Sequence, residues 1–204
     1  MTKITVIDFG MGNLHSVVGA FRYLGATVSV SSNPIEVENA DALVLPGVGS
    51  FYKAMTRLNS TGLTDAITEA VKERKRKILG ICLGHQLTAD FGEEDGGIEG
   101  LGFKSGRVER FPERLSLKVP HVGFNRVSFV ESSRLFCGLG DSAEFYFVHS
   151  YRLAINDLSA NASTCNYGDD FDAAYENENI FSTQFHPEKS QTNGLKVLSN
   201  FLSA

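Results

Sequence analysis

A short apolar run ending in Gly80-Ile81-Cys82-Leu83-Gly84 constrains this 204-residue chain more than any other feature. Ile78–Cys82 reads as a buried strand, and a short helix follows from about Leu83. A chain passes from strand to helix this abruptly only if its backbone turns sharply. Glycines on either side of the turning residue permit that. The turn lifts Cys82 to the C-terminal edge of a sheet and sets a helix N-terminus beneath its sulfur, where negative charge is stabilised. The Leu83 N–H then points to where an oxyanion forms on an attacked carbonyl. A buried structural cysteine in a glycine-rich turn is the plainer alternative. Cys137 and Cys165 lack such flanks and read that way.

The elbow belongs to a repeating strand–helix pattern. Ile4–Asp8 is an apolar run ended by Gly10 and Gly12. Leu14, Val17, Val18, Phe21 and Leu24 recur at helical spacing up to Gly25. Thr27–Ser31 and Ala42–Leu45 read as strands, the latter stopped by Pro46-Gly47. Leu63, Ile67, Ala70 and Val71 mark a helix ending in the basic run Lys72–Lys77, a solvated end that complements the helix dipole. This alternation predicts an α/β fold: a flavodoxin-like open, mostly parallel sheet with flanking helices. After about Gly97, short alternating runs at Leu101–Phe111, Leu117–His121, Arg126–Val130, Glu144–His149 and Ser163–Tyr167 predict an antiparallel extension in the second half. A last strand, Ile180–Phe185, precedes a helix carrying Leu195, Val197, Leu198, Phe201 and Leu202. No linker or repeat divides residues 1–204, so one domain is expected.

A cysteine nucleophile needs a base, and the base needs an orienting group. Phe185-His186-Pro187-Glu188 offers both, because Pro187 favours an extended His186 from which Glu188 can hold the imidazole. A second oxyanion donor must come from a neighbouring strand-end loop, and Pro46-Gly47-Val48-Gly49 makes the Val48 amide the candidate. Gly10-Met11-Gly12-Asn13 resembles the start of a dinucleotide fingerprint. His15 stands where its third glycine belongs, so partner contact or closure over the site is preferred. His85 near Cys82 tempts a metal assignment, and His186-x-Glu188 begins a zinc-deaminase pattern. Neither has further ligands at a fitting spacing, so no metal or cofactor is expected. His121 and His149 lie on expected strands and are, without context, structural.

Charge and targeting exclude other classes. Nineteen basic against 24 acidic residues leave a net charge of −5, which gives no electrostatic case for nucleic acid or anionic membrane. No segment reaches the ~18 apolar residues of a membrane helix. The start MTKITVIDFG reads as a strand rather than a signal peptide. Three sparse cysteines form no disulfide framework, which points to the cytoplasm.

With the PGVG loop, the cysteine elbow and the His-Pro-Glu in that order, the sequence resembles the class I (triad-type) glutamine amidotransferases. IDFGMGNLHSV, LPGVGSF, GICLGHQL, GLGFKSGRVERF, VPHVGFN, YFVHSY and QFHPEKSQTNGLKVLSNFL are similar to landmarks of the glutaminase subunits of imidazole glycerol phosphate synthase. The resemblance covers essentially the whole chain. It implies Cys82, His186 and Glu188 as catalytic residues, with Val48 and Leu83 donating to the oxyanion. It implies Gln86 as a glutamine-binding residue, with Gly49, His149, Ser150 and Tyr151 nearby. It implies a heterodimer with a (β/α)8 cyclase (HisF-type) subunit, into which ammonia is channelled for histidine biosynthesis, with Asn13, His121, Asn125 and Lys189 at the interface. Three stretches depart from the pattern. His85 replaces a usual methionine, Phe124 a usual tryptophan in HMGWN, and Thr88-Ala89-Asp90 is unusually polar. A paralogue feeding a surface-sugar amidating synthase, a stand-alone cysteine hydrolase and an inactive binding module are the alternatives.

Overall fold

The computed structural model describes residues 2–113, 117–155 and 161–204. In chain order the first half runs β1 (Lys3–Ile7), α1 (Leu14–Tyr23), β2 (Thr27–Ser31), α2 (Pro34–Glu38), β3 (Ala42–Gly47), α3 (Phe51–Ser60), α4 (Leu63–Thr68), β4 (Lys77–Cys82) and α5 (Leu83–Leu87). The second half runs β5 (Ala89–Gly92), β6 (Ile98–Glu99), β7 (Lys104–Arg110), β8 (His121–Ser128), β9 (Ser142–His149), β10 (Tyr151–Ala154), β11 (Ala162–Tyr167), β12 (Asp169–Asn177), β13 (Ile180–Thr183) and α6 (Gln191–Ser203).

Strands β2-β1-β3-β4-β13 lie side by side and parallel, the flavodoxin-like order. Every residue of β3 is buried, as a central strand covered on both faces requires. Alternate side chains supply the two faces. Ile4, Val6, Val44, Leu79 and Ile81 pack with Val17 and Phe21 of α1 and Val197 and Phe201 of α6. Ile7, Leu43, Leu45 and Ile78 pack with Phe51 and Leu58 of α3, Leu63 and Ile67 of α4, and Leu83 and Leu87 of α5. Beyond β13 the sheet turns antiparallel through β12, β10 and β7, and a ribbon of β11, β8 and β9 branches from β12.

The second half departs from the expected boundaries. Leu117–His121 and Arg126–Val130 are not two strands: β8 starts at His121, after Pro120, which cannot donate to a ladder, and runs through to Ser128. The strand expected over Leu101–Phe111 is confined to Lys104–Arg110, and β13 stops at Thr183 rather than Phe185. Helix α3, unforeseen, is capped by Ser50, whose hydroxyl accepts the Lys53 N–H at 3.3 Å. The basic run ends the expected helix, which continues from α4 as a π-helical turn over Glu69–Glu73 with Arg74 as its C-cap, and it also serves a second helix. Lys77 opens β4, and its ammonium donates to the Phe201, Leu202 and Ala204 carbonyls at 2.8, 3.0 and 3.1 Å, closing the C-terminus of α6.

The elbow's glycines are steric necessities. A Cβ on Gly84 would stand 1.7 Å from the Leu45 carbonyl oxygen, and one on Gly80 would stand 2.6 Å from the Gly84 oxygen. Both obstacles are backbone, so nothing can swing aside. Gly84→Ala is therefore expected to cost about 3 kcal/mol or more in urea unfolding. Gly19→Ala in α1, where the added Cβ meets nothing within 4 Å, is expected to stabilise by about 0.5–1 kcal/mol through helix propensity. Equal effects of the two substitutions would refute this account of the turn.

Candidate active site

Cys82 sits at the end of β4 with φ 55° and ψ −105°, a left-handed conformation that costs a side-chain-bearing residue about 1–3 kcal/mol. The strain is held by β3 on one side and β13 on the other. Leu83 begins α5, so its N–H has no intrahelical acceptor and is available to a ligand at the elbow.

His186 reaches the same point from the far side of β13. Its backbone is extended (φ −97°, ψ 96°), and Pro187–Lys189 then forms one tight 3₁₀ turn. That turn, rather than continued extended chain, brings Glu188 back to the imidazole. Nδ1 of His186 donates to Oε1 of Glu188 at 2.7 Å, and both side chains are buried. Ser190 braces the turn by donating to the His186 carbonyl at 2.6 Å. Nε2 of His186 is buried without a hydrogen bond of standard geometry, and Cys82 is its ionisable neighbour. Burial alone would lower the imidazole's pKa, but interaction with Cys82 and Glu188 outweighs it and holds the group up to about 9.

A cavity of about 440 Å³ opens over the sulfur. The elbow contributes Cys82, Leu83 and Gln86, the loop after β3 contributes Val48, Gly49 and Ser50, and the β9–β10 corner contributes Val148, His149, Ser150 and Tyr151. All five residues expected around a substrate line it. Pro120 and Glu94 line it too and were not foreseen. The Glu94 carboxyl accepts the Phe51 N–H at 2.8 Å at the start of α3, and burial raises its pKa. The acidic stretch Glu93-Glu94-Asp95 was its only signal in the sequence.

Two expectations need correction. The Val48 N–H donates to the Met11 carbonyl at 3.0 Å, so in this state it is engaged and does not face an oxyanion over Cys82. The cause is the close seating of the Gly10–Asn13 loop on the Pro46–Gly49 loop. His121, expected at a partner surface, is 3% exposed. Its ring is stacked between Phe147 and Tyr167, at centroid distances of 4.9 and 4.0 Å. Asn13 and Lys189 are exposed and Asn125 half-buried. Phe124 and Val122 form an apolar surface beside them, at 49% and 55% exposure.

The histidines around the cavity form a chain whose proton positions follow from one carbonyl. Nδ1 of His149 lies 2.7 Å from the Tyr151 carbonyl, which can only accept. Nε2 of His149 is then the acceptor for Nδ1 of His121 at 3.0 Å. Burial keeps both rings neutral, lowering His149 to about 3 and His121 to about 4. His85 is fully buried, bonded through Nδ1 to the Ser182 hydroxyl at 2.8 Å, and burial lowers its pKa well below the ordinary value. It faces the buried Lys104–Asp172 ion pair behind the elbow.

The comparisons with known proteins agree with this geometry. Residues 5–204 match the family described as glutamine amidotransferase class-I. A solved glutamine amidotransferase superposes with a TM-score of 0.74 at 19% identity, covering 98% of this chain and 97% of its own. The chain belongs to the class-I glutamine amidotransferase family. Within it, the chain falls among the HisH subunits. It is 46% identical over 198 residues to imidazole glycerol phosphate synthase subunit HisH 1 of Campylobacter jejuni, covering 97% of this chain and 98% of that one. It is also 42% identical over 201 residues to the chloroplastic imidazole glycerol phosphate synthase hisHF of Arabidopsis thaliana, covering 98% of this chain and 34% of that longer one.

The shifts give stability a pH dependence of definite sign. His85, His121 and His149 have folded pKa values below the ordinary 6.5. As pH falls below 6.5 the unfolded chain takes up protons that the native state refuses, so stability falls. His186 is raised to about 9, so its contribution is complete below 6.5 and is lost as pH rises towards 9. Each group contributes a slope of at most about 1.4 kcal/mol per pH unit. Lys104, lowered by burial to about 7, works the other way above that pH: the unfolded chain keeps a proton the native state has lost, which offsets the His186 loss. Urea unfolding from pH 4 to 9 is expected to show an acid limb that levels off above about 7. His186→Gln is expected to turn that plateau into a further rise, and a plateau unchanged in that variant would contradict the charged state assigned to His186.

Proposed function

We propose that this chain is the glutaminase subunit of an imidazole glycerol phosphate synthase, acting in histidine biosynthesis. It hydrolyses glutamine to glutamate and ammonia and hands the ammonia to a cyclase subunit. The observation that carries this is the pairing of the Cys82 thiol with a buried, Glu188-oriented His186 at the floor of a substrate-sized cavity. The near-full-length identity to HisH 1 supports the choice of synthase. The plant relative supports the partner, since its name joins H to F and the match occupies only 34% of its length.

The chemistry follows from the groups present. The Cys82 sulfur attacks the side-chain carboxamide carbon of glutamine, and the carbonyl electrons move onto oxygen. The Leu83 N–H meets that oxyanion at the start of α5. The imidazolium of His186 gives its Nε2 proton to the departing nitrogen, and ammonia leaves a thioester. Neutral His186 then takes a proton from water, the hydroxide adds to the thioester, and glutamate departs as the sulfur regains its charge. Gln86, Gly49, His149, Ser150 and Tyr151 form the walls that hold the amino-acid end. Glu94 is the carboxylate placed to pair with its α-ammonium.

A second oxyanion donor requires the Val48 peptide to turn away from Met11. The Gly47 and Gly49 flanks permit that turn. The Gly10–Asn13 loop that blocks it carries exposed Asn13, so docking of a cyclase there and on Asn125, Lys189 and the Val122–Phe124 surface would release it. His121 supports that surface from beneath. The three free cysteines fit a cytoplasmic protein, and a single class-I domain spans the chain, as its continuous sheet suggests.

Glutamate release is expected to be low for the chain alone and to rise at least about 100-fold with cyclase present. Cys82→Ala is expected to lower the stimulated rate by at least about 1,000-fold. A variant as active as the native chain would sink the proposal. Full turnover without any partner would favour a stand-alone hydrolase instead. Rescue of a histidine-requiring strain separates this function from amidation of a surface sugar.

A further inference from the structure

Gln184 has no part in the mechanism above, yet it touches the reacting atom. It follows β13, is fully buried, and its backbone N–H is pinned to the Ala173 carbonyl at 2.8 Å. Its side-chain nitrogen lies 3.9 Å from Sγ of Cys82. Carboxamide ends are easily interchanged, so the argument must show that nitrogen rather than oxygen faces the sulfur. The Tyr151 carbonyl decides it. Nε2 of Gln86 lies 2.9 Å from that carbonyl, which only accepts, so this end of Gln86 is the donor. The same nitrogen lies 2.9 Å from the other end of Gln184, which must therefore be the acceptor oxygen. Both hydrogens of the Gln86 nitrogen are used, and the Gln184 N–H is left aimed at sulfur.

We infer that Gln184 is a further catalytic residue, a fixed N–H donor that stabilises negative charge on the Cys82 sulfur from behind the residues that line the cavity. The inference rests on the proposed glutaminase chemistry and adds a second group to the sulfur besides His186. A thiolate accepts such a bond far better than a thiol or a thioester sulfur does. The donor therefore acts twice. It holds the charged sulfur before attack, and it receives the charge again when the thioester's carbon–sulfur bond breaks. The donor costs no reorganisation, because Gln86 and Tyr151 have already oriented it. It also commits Gln86 to showing the cavity its oxygen, an acceptor for the N–H groups of glutamine.

The test is alkylation of Cys82 by iodoacetamide, in which sulfur displaces iodide and no glutamine is involved. It is run from pH 5 to 10 on the full chain, in a Cys137→Ser background because Cys137 is the exposed thiol. Peptide mass mapping confirms the site. Gln184→Met keeps the volume and removes the donor. The alkylation profile is expected to move up by about one pH unit. With cyclase present, kcat is expected to fall about 10- to 100-fold, with KM changed less than about threefold. A profile superimposable on that of the parent overturns the inference, because a packing role alone would lower the melting temperature and leave the profile in place. If Gln184→Met does not fold, Gln86→Met decides: it frees the Gln184 carboxamide to turn, and a smaller upward move is expected, with no move counting against the inference. Failure of the parent to release glutamate with cyclase would refute the glutaminase proposal separately, since alkylation does not depend on it.

Discussion

Everything at the site depends on one contact between backbones: Gly84 of α5 laid against the Leu45 carbonyl of β3. At that approach no side chain larger than hydrogen fits. Because α5 can pack so deeply, β4 can turn into it at a single residue, and that residue must accept a positive φ. Cys82 carries the strain. The parallel neighbours on both sides hold it there, with Gly47 in register with Cys82 on β3 and Thr183 with Ile81 on β13. The thiol's position at the sheet edge is thus a property of the two central strand pairs. Loosening the packing behind the turn would relax the elbow before it disturbed any residue that touches the substrate.

Charge at the site is sorted by what each imidazole meets, since all four are buried. His85, His121 and His149 bond to hydroxyl, carbonyl or another neutral ring, and burial makes them neutral bases. His186 meets the Glu188 carboxylate on one nitrogen and the Cys82 sulfur on the other, and these override the same burial penalty. A neutral His149 beside the cavity does not repel the α-ammonium of an amino acid, and a charged His186 holds the proton that a departing ammonia needs. The tautomers of His149 and His121 and the amides of Gln86 and Gln184 all trace back to the Tyr151 carbonyl. One strand end therefore fixes the polarity of both walls.

What could be read from the chain alone was whatever local sterics dictate. Gly80, Cys82 and Gly84 announce their geometry because no other residues could make that turn. Pro187 announces the extended His186, though not the tight turn that returns Glu188 to it. The parallel half was legible because its central strands, β3 and β4, are nearly continuous apolar runs. The antiparallel half was legible at β9 and β11 but not at β8 and β12, which alternate small, polar and aromatic residues whose faces are set by partners far off in sequence. His121 shows the difficulty: its motif suggests a surface, but Phe147 and Tyr167, distant in the chain, bury it. Gln184 left no local signal and Glu94 only an acidic stretch, since each matters through a neighbour that only the fold supplies. The engagement of Val48 by Met11 is likewise a meeting of two loops, invisible in either.

The division between strand ends and loops also says where control can lie. Cys82, His186 and Gln184 are held by backbone in and beside the central sheet, so under the proposed chemistry the nucleophile and its proton donor stand assembled in the free chain. The Val48 amide alone rests on a loop, and its bond to Met11 exchanges one hydrogen-bond acceptor for another. Such an exchange costs little when the new acceptor is an oxyanion carrying a full charge, because a charge-assisted bond replaces a neutral one. A contact on the Gly10–Asn13 loop that shifts Met11 can therefore complete the oxyanion site without touching the catalytic residues. A contact that tightens the loop against Val48 would silence it just as cheaply. Under the proposed function, activity is then governed by the Val48 peptide, which its flanking glycines leave free to turn.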